Sequence, residues 1–333
     1  MMYVLVFLAS GVVVVLAGTA LARYADAIAE VTKLGRLWIG SLLLAGATSL
    51  PELMTDVAAV RLGAVDLAVG DLFGSSMANM LILAMIDLLP PRRQVLHKVA
   101  LDHVLAASLA ISLNAVAAVL VVMRPSASLL WVGPGSVVLF LGYVAGTRAV
   151  YRHATREGAT VSAVAALEQI GKPPPTLRRA VIGFTAAAIV VLAAAPAFAW
   201  SAKGIAEISG LGNTFVGTWL VGLATSLPEV VACLAALKLG SFDLAVGNLF
   251  GSNAFNMAIF LALDLAQPGS LFAVLDPSHV LSALAAVVLM SLGVAAIVYR
   301  AKRRFAMLEP DSLLMLVAYG AAILLLYFRK AAS

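Results

Sequence analysis

The sequence has little of what soluble proteins are built from, because charged side chains make up only 12% of its 333 residues while apolar ones make up 62%. A soluble domain of this size does not need so apolar a surface, so the surrounding solvent must be largely lipid. The single cysteine, Cys233, can form no intrachain disulfide and says nothing about the redox compartment.

Patterns typical of enzymes and of nucleic-acid-binding proteins are also missing. The four histidines are scattered near the ends of apolar segments, and there is no zinc-type cluster, no phosphate loop and no pairing of a nucleophile with a base. We therefore expect neither an enzyme nor a resident cofactor. The net charge of +5 is spread over the segments between apolar stretches, so no nucleic-acid partner is expected either.

Ten apolar stretches are each about the length that spans a bilayer. They cover residues 3–22, 37–60, 65–89, 99–122, 128–147, 180–201, 212–237, 242–267, 277–299 and 312–328. The first stretch lacks the basic start of a signal peptide, and nine more follow it, so we expect it to be retained as a helix. The sequence therefore predicts an all-α polytopic membrane protein of about ten transmembrane helices.

The lysines and arginines predict how the chain crosses the membrane. If the N-terminus lies outside, most of the 22 basic residues fall in segments on the cytoplasmic side, including the loop 148–179. The positive-inside rule therefore predicts a multi-pass protein of the cell membrane, with both termini outside and this loop in the cytoplasm.

The chain contains an internal duplication. Residues 34–88 align with residues 211–265 without a gap, and roughly half of the aligned positions are identical. Chance similarity between apolar helices would not keep polar residues in register, whereas here Glu52 aligns with Glu229. We call the two segments the first and second repeats.

The two repeats begin five spans apart, and because five is odd the second must cross the membrane upside down relative to the first. Inverted repeats with interrupted helices are typical of secondary transporters, whose binding site lies near the midplane where the repeats meet. We expect one five-helix half over residues 1–150, a cytoplasmic linker over 151–179 and a second five-helix half over 180–333.

Each repeat carries a proline followed by a glutamate inside an apolar span, as Pro51-Glu52 and Pro228-Glu229. A proline within a helix lacks its N–H and clashes with the carbonyl four residues earlier, so it opens the helix. In lipid, freed backbone groups are tolerated only where protein, water or an ion satisfies them. The pattern predicts that the second and seventh helices are broken beside a glutamate.

Oxygen ligands surround each predicted break. Two hydroxyl side chains precede each glutamate on the same helix face, and the following helix adds a serine and an asparagine four residues apart. The set comprises Glu52, Thr48, Ser49, Ser75 and Asn79 in the first repeat, and Glu229, Thr225, Ser226, Ser252 and Asn256 in the second. Such hard oxygen atoms suit Ca²⁺ or Na⁺ rather than a soft metal.

Other residues of the third and eighth spans have structural interpretations. Four glycines in these spans are predicted to let the helices approach the broken helices closely. The glycines are Gly70, Gly74, Gly247 and Gly251. Asp66 and Asp243 begin the two spans and are predicted N-caps. Asp87 and Asp264 lie near the ends of the same spans, and we expect them to face the interface or to cap a neighbouring helix.

The cost of burying the two glutamates favours a functional role. An ionised glutamate at mid-bilayer costs roughly 2.5–3.5 kcal/mol or more. The spans that hold Glu52 and Glu229 contain no lysine or arginine to pair with them, so bound cations or protons remain as compensators. Two carboxylates can neutralise one Ca²⁺ or share several Na⁺ with neutral oxygens, so one site could serve both ions in turn.

The two ATSLPE segments, together with GSSMANM at 74–80 and GSNAFNM at 251–257, resemble the paired repeats of the Ca²⁺/cation antiporter superfamily. The sodium/calcium exchangers are the most similar branch. The resemblance implies secondary active exchange of Na⁺ for Ca²⁺ by alternating access, at a shared site between helices 2, 3, 7 and 8. Each chain would carry a complete site, so we expect a monomer in membrane lipid to suffice.

The resemblance also implies roles for the oxygen ligands. Glu52 and Glu229 would bind both Ca²⁺ and Na⁺ in turn. Hydroxyl or backbone oxygens would come from Thr48, Ser49, Thr225 and Ser226, and the Na⁺ sites would be completed by Ser75, Ser252, Asn79 and Asn256.

Three positions of the first repeat depart from the family pattern. Asp71 stands where the second repeat has Asn248, Asp56 stands where it has Cys233, and Ser76 replaces the usual asparagine of GSN. The two aspartates are candidates for a proton or accessory site, which leaves H⁺-coupled antiport of Ca²⁺ or another divalent cation as the alternative function. A cation channel is a third hypothesis, although broken helices favour a gated midplane site over an open pore.

Overall fold

The structure is a computed structural model that describes residues 2–32, 45–88, 103–128, 131–156, 176–238, 242–299 and 310–332. Nearly all of these residues are helical, which confirms the predicted all-α membrane fold. The first half of the chain contributes α1 (Met2–Thr32), α2 (Leu50–Arg61), α3 (Val65–Leu88), α4 (His103–Met123) and α5 (Pro134–Arg156).

The second half begins with α6 (Leu177–Ser209). It continues with a broken α7, which consists of Asn213–Val216, a π-helical turn Gly217–Val221, Gly222–Thr225 and Leu227–Lys238. The remaining helices are α8 (Phe242–Ala266), the short turn Leu271–Val274, α9 (His279–Tyr299) and α10 (Pro310–Ala332).

Eight helices of the described chain are long and apolar enough to cross a bilayer, taking α7 as one. The apolar part of α5, Pro134–Val150, is shorter. The start of the second predicted span, 37–44, lies outside the described residues. At the predicted linker, α5 continues to Arg156 and α6 begins at Leu177, while 157–175 lie outside the described residues.

Both predicted helix breaks are confirmed. In the first repeat the helical turn at 45–48 ends at Ser49, and α2 starts anew at Leu50 with Pro51 in its first turn. In the second repeat α7 is interrupted at Ser226, and its last section starts at Leu227 with Pro228 behind it. Proline is well placed in a first helical turn because its missing N–H would have no intrahelical partner there.

The equivalent helices α1 and α6 pack against each other in opposite directions. Tyr3 lies over Trp200 with ring centroids 4.7 Å apart, while Phe7 stacks on Phe198 at 4.5 Å. Further along α1, Tyr24 packs against Gly183, which lies earlier in α6. Because α1 and α6 are the first helices of the two halves, their antiparallel packing agrees with the inversion predicted from the odd number of spans.

The helices α3 and α8 form the centre of the molecule, and both are much more deeply buried than α1. The backbone of α3 lies directly against that of α7. A methyl group at Gly74 would overlap the backbone of Thr218, and one at Gly70 would lie 2.8 Å from the carbonyl oxygen of Thr214. Glycine thus allows the predicted close approach, but the broken helix that α3 approaches here belongs to the other repeat.

Candidate functional site

All twelve predicted site residues lie within the described chain, and none is more than 1% exposed. They are Thr48, Ser49, Glu52, Asp56, Asp71, Ser75, Asn79, Thr225, Ser226, Glu229, Ser252 and Asn256. The helix breaks and the glycine contacts bring α2, α3, α7 and α8 together around these side chains.

Glu229 is surrounded by hydroxyl groups from both repeats. Its Oε1 lies 3.4 Å from Ser252 Oγ on the adjoining helix of its own repeat and 3.5 Å from Ser49 Oγ at the break of the first repeat. The hydroxyls of Thr48 and Ser252 are 3.3 Å apart. Three small hydroxyl side chains, two from the first repeat and one from the second, therefore meet near this carboxylate.

A second hydroxyl pair repeats this geometry on the other side of the site. Ser75 Oγ and Thr225 Oγ1 lie 3.3 Å apart. They are the repeat equivalents of Ser252 and Thr48, which are separated by the same distance. The third helix of each half thus meets the broken helix of the other half through one serine–threonine pair, as inverted repeats require.

Several oxygens of the site have no hydrogen-bond partner among the described residues. They are Oε2 of Glu52 and of Glu229, both carboxyl oxygens of Asp56, Oδ2 of Asp71, and Oδ1 of Asn79 and of Asn256. Glu52 also lies near enough to Glu229 and Asp71 for the three carboxyl groups to interact electrostatically. Buried polar atoms are normally paired, so these acceptor oxygens are arranged for a positively charged or proton-bearing partner.

The two aspartates that distinguish the first repeat are neighbours in space. The side chain of Asp56 on α2 faces that of Asp71 on α3, and both are completely buried. Their repeat equivalents, Cys233 and Asn248, also lie side by side. The two positions therefore differ together between the repeats, because a neighbouring pair of acids in the first half corresponds to a neighbouring pair of neutral side chains in the second.

Asp71 also connects the halves. Its Oδ1 accepts a hydrogen bond of 2.9 Å from Thr225 and one of 3.3 Å from Ser75. One carboxylate therefore holds both members of a serine–threonine pair that the sequence predicted to bind ions directly.

Two predicted ligands make their described hydrogen bonds away from the other site residues. The Ser226 hydroxyl donates to the carbonyl of Gly222 at 2.7 Å, within its own helix, and the Asn256 amide lies 3.5 Å from the carbonyl of Leu72. No three histidine, cysteine, aspartate or glutamate side chains of the described chain stand close enough together to hold a metal ion. The oxygens that accompany the two glutamates therefore come largely from serine, threonine and asparagine.

Asn253 is a site residue that our sequence reasoning did not select. Its Oδ1 accepts a hydrogen bond of 2.8 Å from the amide of Asn79, and its own amide donates to the carbonyl of Ser76 at 3.3 Å. One feature of the sequence could have identified it. The first repeat has Ser76 where the second has Asn253, so this asparagine is present in one repeat only.

Asp87 and Asp264 were expected to face the interface or to cap a neighbouring helix, and capping is confirmed for Asp264. Asp87 accepts a hydrogen bond of 2.6 Å from Ser312 in the first turn of α10. Asp264 accepts the backbone N–H of Gly133 at 2.6 Å, and also the hydroxyl of Ser136 at the start of α5. Each central helix thus anchors the last helix of the opposite half.

Asp66 does not cap its own helix as predicted. It accepts the backbone N–H of Asp276 at 2.9 Å and lies 3.0 Å from Nε2 of His279, at the start of α9. This is again a contact between the halves, which the order of residues along the chain does not reveal. The side chain of Asp243 lies outside the described part of the structure.

Known proteins resemble this chain in sequence. The sequence model of the family described as "Sodium/calcium exchanger protein" matches residues 2–147 and 179–328. The inner membrane protein YrbG of Escherichia coli is 31% identical over 242 residues, which are 71% of this chain and 71% of YrbG.

Two solved structures share the fold. The H⁺/Ca²⁺ exchanger CAX superposes with a TM-score of 0.67 at 17% identity, over 99% of this chain and 88% of that one. The sodium-calcium exchanger NCX_Mj superposes with a TM-score of 0.59 at 23% identity, over 97% of each chain.

Proposed function

Since this chain belongs to the sodium/calcium exchanger protein family, a family of transporters rather than enzymes, we propose that it exchanges Na⁺ for Ca²⁺ across the cell membrane. Exchange would occur by alternating access at one shared site near the midplane. The proposal deals with transported ions, and it requires no resident cofactor.

The observation that carries the proposal is the burial of Glu52 and Glu229 beside the two helix breaks. Each has an Oε2 without a hydrogen-bond partner among the described residues, and the sequence has no lysine or arginine at 37–60 or 204–237. Burying an unpaired charge is costly, so a cation that enters between the glutamates supplies the missing compensation.

We propose that neutral oxygens complete the coordination of the transported ions. Hydroxyl groups from both repeats surround Glu229, and the mirrored serine–threonine pair lies on the side of Asp71. The proposed ligands are Glu52, Thr48, Ser49, Ser75 and Asn79 from the first repeat, and Glu229, Thr225, Ser226, Ser252 and Asn256 from the second. One Ca²⁺ balances two carboxylates, and several Na⁺ can share the same oxygens, so the two ions exclude each other from the site.

The test is Ca²⁺ uptake into proteoliposomes loaded with Na⁺, compared with vesicles loaded with K⁺. We expect uptake only from Na⁺-loaded vesicles, and its loss in both Glu52→Gln and Glu229→Gln. Glu207→Gln is the matched control, because Glu207 is an exposed residue at the end of α6. Uptake that ignores the Na⁺ gradient, or that survives in both site variants, would contradict the proposal.

A second candidate is antiport of Ca²⁺ or another divalent cation against H⁺. The specific observation in its favour is the facing pair of buried acids, Asp56 and Asp71, which only the first repeat contains. Two carboxyl groups that face each other can share one proton, which the protein could bind on one side of the membrane and release on the opposite side. Uptake driven by a pH gradient alone, without Na⁺, would favour this candidate over Na⁺ exchange.

We further propose that both termini lie outside the cell and that the loop 148–179 lies in the cytoplasm, as the distribution of basic residues predicts. Asp66, Asn213 and His279, at the starts of α3, α7 and α9, would then lie on the outer side. Labelling of single cysteines by an impermeant thiol reagent, at Ser278→Cys and at a cytoplasmic-loop position in a Cys233→Ala background, would test the orientation.

A further inference from the structure

The amide of Asn79 is held in one orientation by a chain of hydrogen bonds that starts at a backbone carbonyl. The carbonyl oxygen of Ser76 can only accept, and it lies 3.3 Å from Nδ2 of Asn253. This contact turns Oδ1 of Asn253 toward Asn79, where it accepts a hydrogen bond of 2.8 Å from Nδ2. Because the amide nitrogen of Asn79 is thereby occupied, its Oδ1 is the atom left without a partner among the described residues.

We propose that Asn253 is a positioning residue for cation binding, which makes Asn79 present its carbonyl oxygen rather than its NH₂ group to the ion. The inference rests on the proposed function, since it concerns one ligand of that cation site. An amide has nearly the same shape in its two orientations, but only the oxygen can bind Na⁺ or Ca²⁺. A site built on asparagine therefore needs a group that decides the orientation, as neighbouring side chains do for the ligands of metal sites.

The second repeat lacks an equivalent arrangement. The counterpart of Asn253 in the first repeat is Ser76, whose hydroxyl donates to the carbonyl of Leu72 at 3.0 Å. Asn256, the counterpart of Asn79, is left with a contact of 3.5 Å to the same carbonyl. The two asparagine ligands are therefore not equivalent, because Asn79 is fixed in advance and Asn256 is held weakly.

Burial strengthens the effect of Asn253. Asn79 and Asn253 are 1% and 0% exposed, so no bulk water competes for the amide. The residues belong to α3 and α8, the central helices of the two halves, and the contact therefore also sets how the halves align at the site. Without Asn253 the Asn79 amide can turn over, and its NH₂ group would then face the cation.

The experiment is a double-mutant cycle of Asn253→Ala and Asn79→Ala. It is read from the Ca²⁺ and Na⁺ concentrations that half-saturate transport in proteoliposomes, and from cation-dependent thermal stabilisation of the purified protein. We expect Asn253→Ala to raise the half-saturating concentration by roughly 10-fold while the maximal rate stays close to that of the parent protein. In the Asn79→Ala background the same change should have no further effect, because the ligand that Asn253 orients is already gone.

Two further variants keep the test sharp. Asn253→Asp retains an oxygen acceptor for Asn79, so it should regain most of the affinity lost in Asn253→Ala. Asn114→Ala is the matched control, because Asn114 is also a buried asparagine, but its amide donates at 2.9 Å to Ala110 in its own helix α4. Its half-saturating concentrations should not change.

The outcomes separate this inference from the proposed function. Additive losses in the double variant, or equal losses in Asn253→Ala and Asn253→Asp, would overturn the positioning role while leaving exchange intact. If the parent protein neither exchanges Ca²⁺ nor is stabilised by Ca²⁺ or Na⁺, the proposed function fails and the role of Asn253 falls with it. Variants are compared only where they retain the cooperative thermal transition of the parent protein.

Discussion

Thr225 on the broken helix α7 donates a hydrogen bond of 2.9 Å to Asp71 on α3, across the boundary between the two halves. The repeat equivalent of Thr225 is Thr48, and the repeat equivalent of Asp71 is the neutral Asn248. Both sides of the site therefore contain a serine–threonine pair, but only the side with Asp71 has a carboxyl group at this position. The difference can be tested by substitution, because the additional carboxylate is the observation behind the proposed alternative of H⁺ coupling.

We expect Asp71→Asn, which gives the first repeat the amide of the second, to abolish any Ca²⁺ uptake driven by a pH gradient while retaining uptake driven by Na⁺. The reason is that the substitution removes one of two facing acids but leaves Glu52 and Glu229 in place. The measurement is uptake into vesicles under each gradient separately, with Glu207→Gln as the control. Loss of Na⁺-driven uptake as well would show that Asp71 takes part in Na⁺ binding.

Gly74→Ala is expected to disrupt the contact between α3 and α7. The added methyl group would overlap the backbone of Thr218, which cannot move aside as a flexible side chain can. We expect a loss of stability of about 1–3 kcal/mol and a larger loss of transport, because Ser75 and Thr225 would separate. Thermal unfolding in detergent and vesicle uptake provide the two measurements.

Gly320→Ala is the matched control for this prediction, since no atom lies within 4 Å of a methyl group placed at Gly320 on α10. It should leave both stability and transport unchanged. Normal transport by Gly74→Ala would mean that α3 and α7 do not need the close approach seen in the structure.

Asp264→Ala is expected to destabilise the protein without a specific effect on ion affinity. Asp264 accepts the backbone N–H groups of Gly133 at 2.6 Å and of Leu271 at 2.7 Å, and all of these groups are buried. Leaving a buried N–H unsatisfied costs roughly 1–3 kcal/mol, so the melting temperature should fall clearly. The half-saturating Ca²⁺ concentration of the folded fraction should stay at the parent value, and a marked change in it would place Asp264 in ion binding.

The contribution of Asp276 to stability should depend on pH. Partial burial of this carboxyl acts to raise its pKa, but hydrogen bonds from Ser278, with His279 and Arg329 nearby, outweigh that effect and hold the pKa below its ordinary value of 3.8. The Ser278 N–H donates at 2.7 Å. A carboxyl whose pKa is lowered by folding stabilises the protein above its unfolded pKa, and the stabilisation is lost as the pH falls through the folded pKa.

We therefore expect Asp276→Asn to melt at a lower temperature than the parent protein at pH 7. The difference should shrink once the pH falls below 3.8 and the parent carboxyl becomes protonated. Thermal unfolding in detergent from pH 7 down to the acid limit of the protein measures this directly. A difference that stays constant over the whole range would assign the effect to packing rather than to charge.

The sequence by itself determined the membrane class, the inverted duplication and the positions of both helix breaks. These follow from local physics, since bilayer thickness sets the length of apolar stretches and proline opens a helix wherever it occurs. The sequence also selected ten candidate ligands, because oxygen-bearing side chains recur in register beside Glu52 and Glu229, and two aspartates, Asp56 and Asp71, that do not recur. The structure buries all twelve of these side chains. Which ion each of them binds stays a prediction.

Only the tertiary structure decided which of these residues meet. Ser75 lies against Thr225 rather than against the hydroxyls of its own repeat, and Asp56 faces Asp71. Asn253 accepts a hydrogen bond from the amide of Asn79. The contacts of Ser75 with Thr225 and of Asn79 with Asn253 depend on how the two inverted halves dock. Docking in turn depends on the close approach of backbones at glycines such as Gly74 and on the anchoring of helix ends at Asp264. Neither can be read from hydropathy or from spacing along one helix, because both join residues more than a hundred positions apart in the chain.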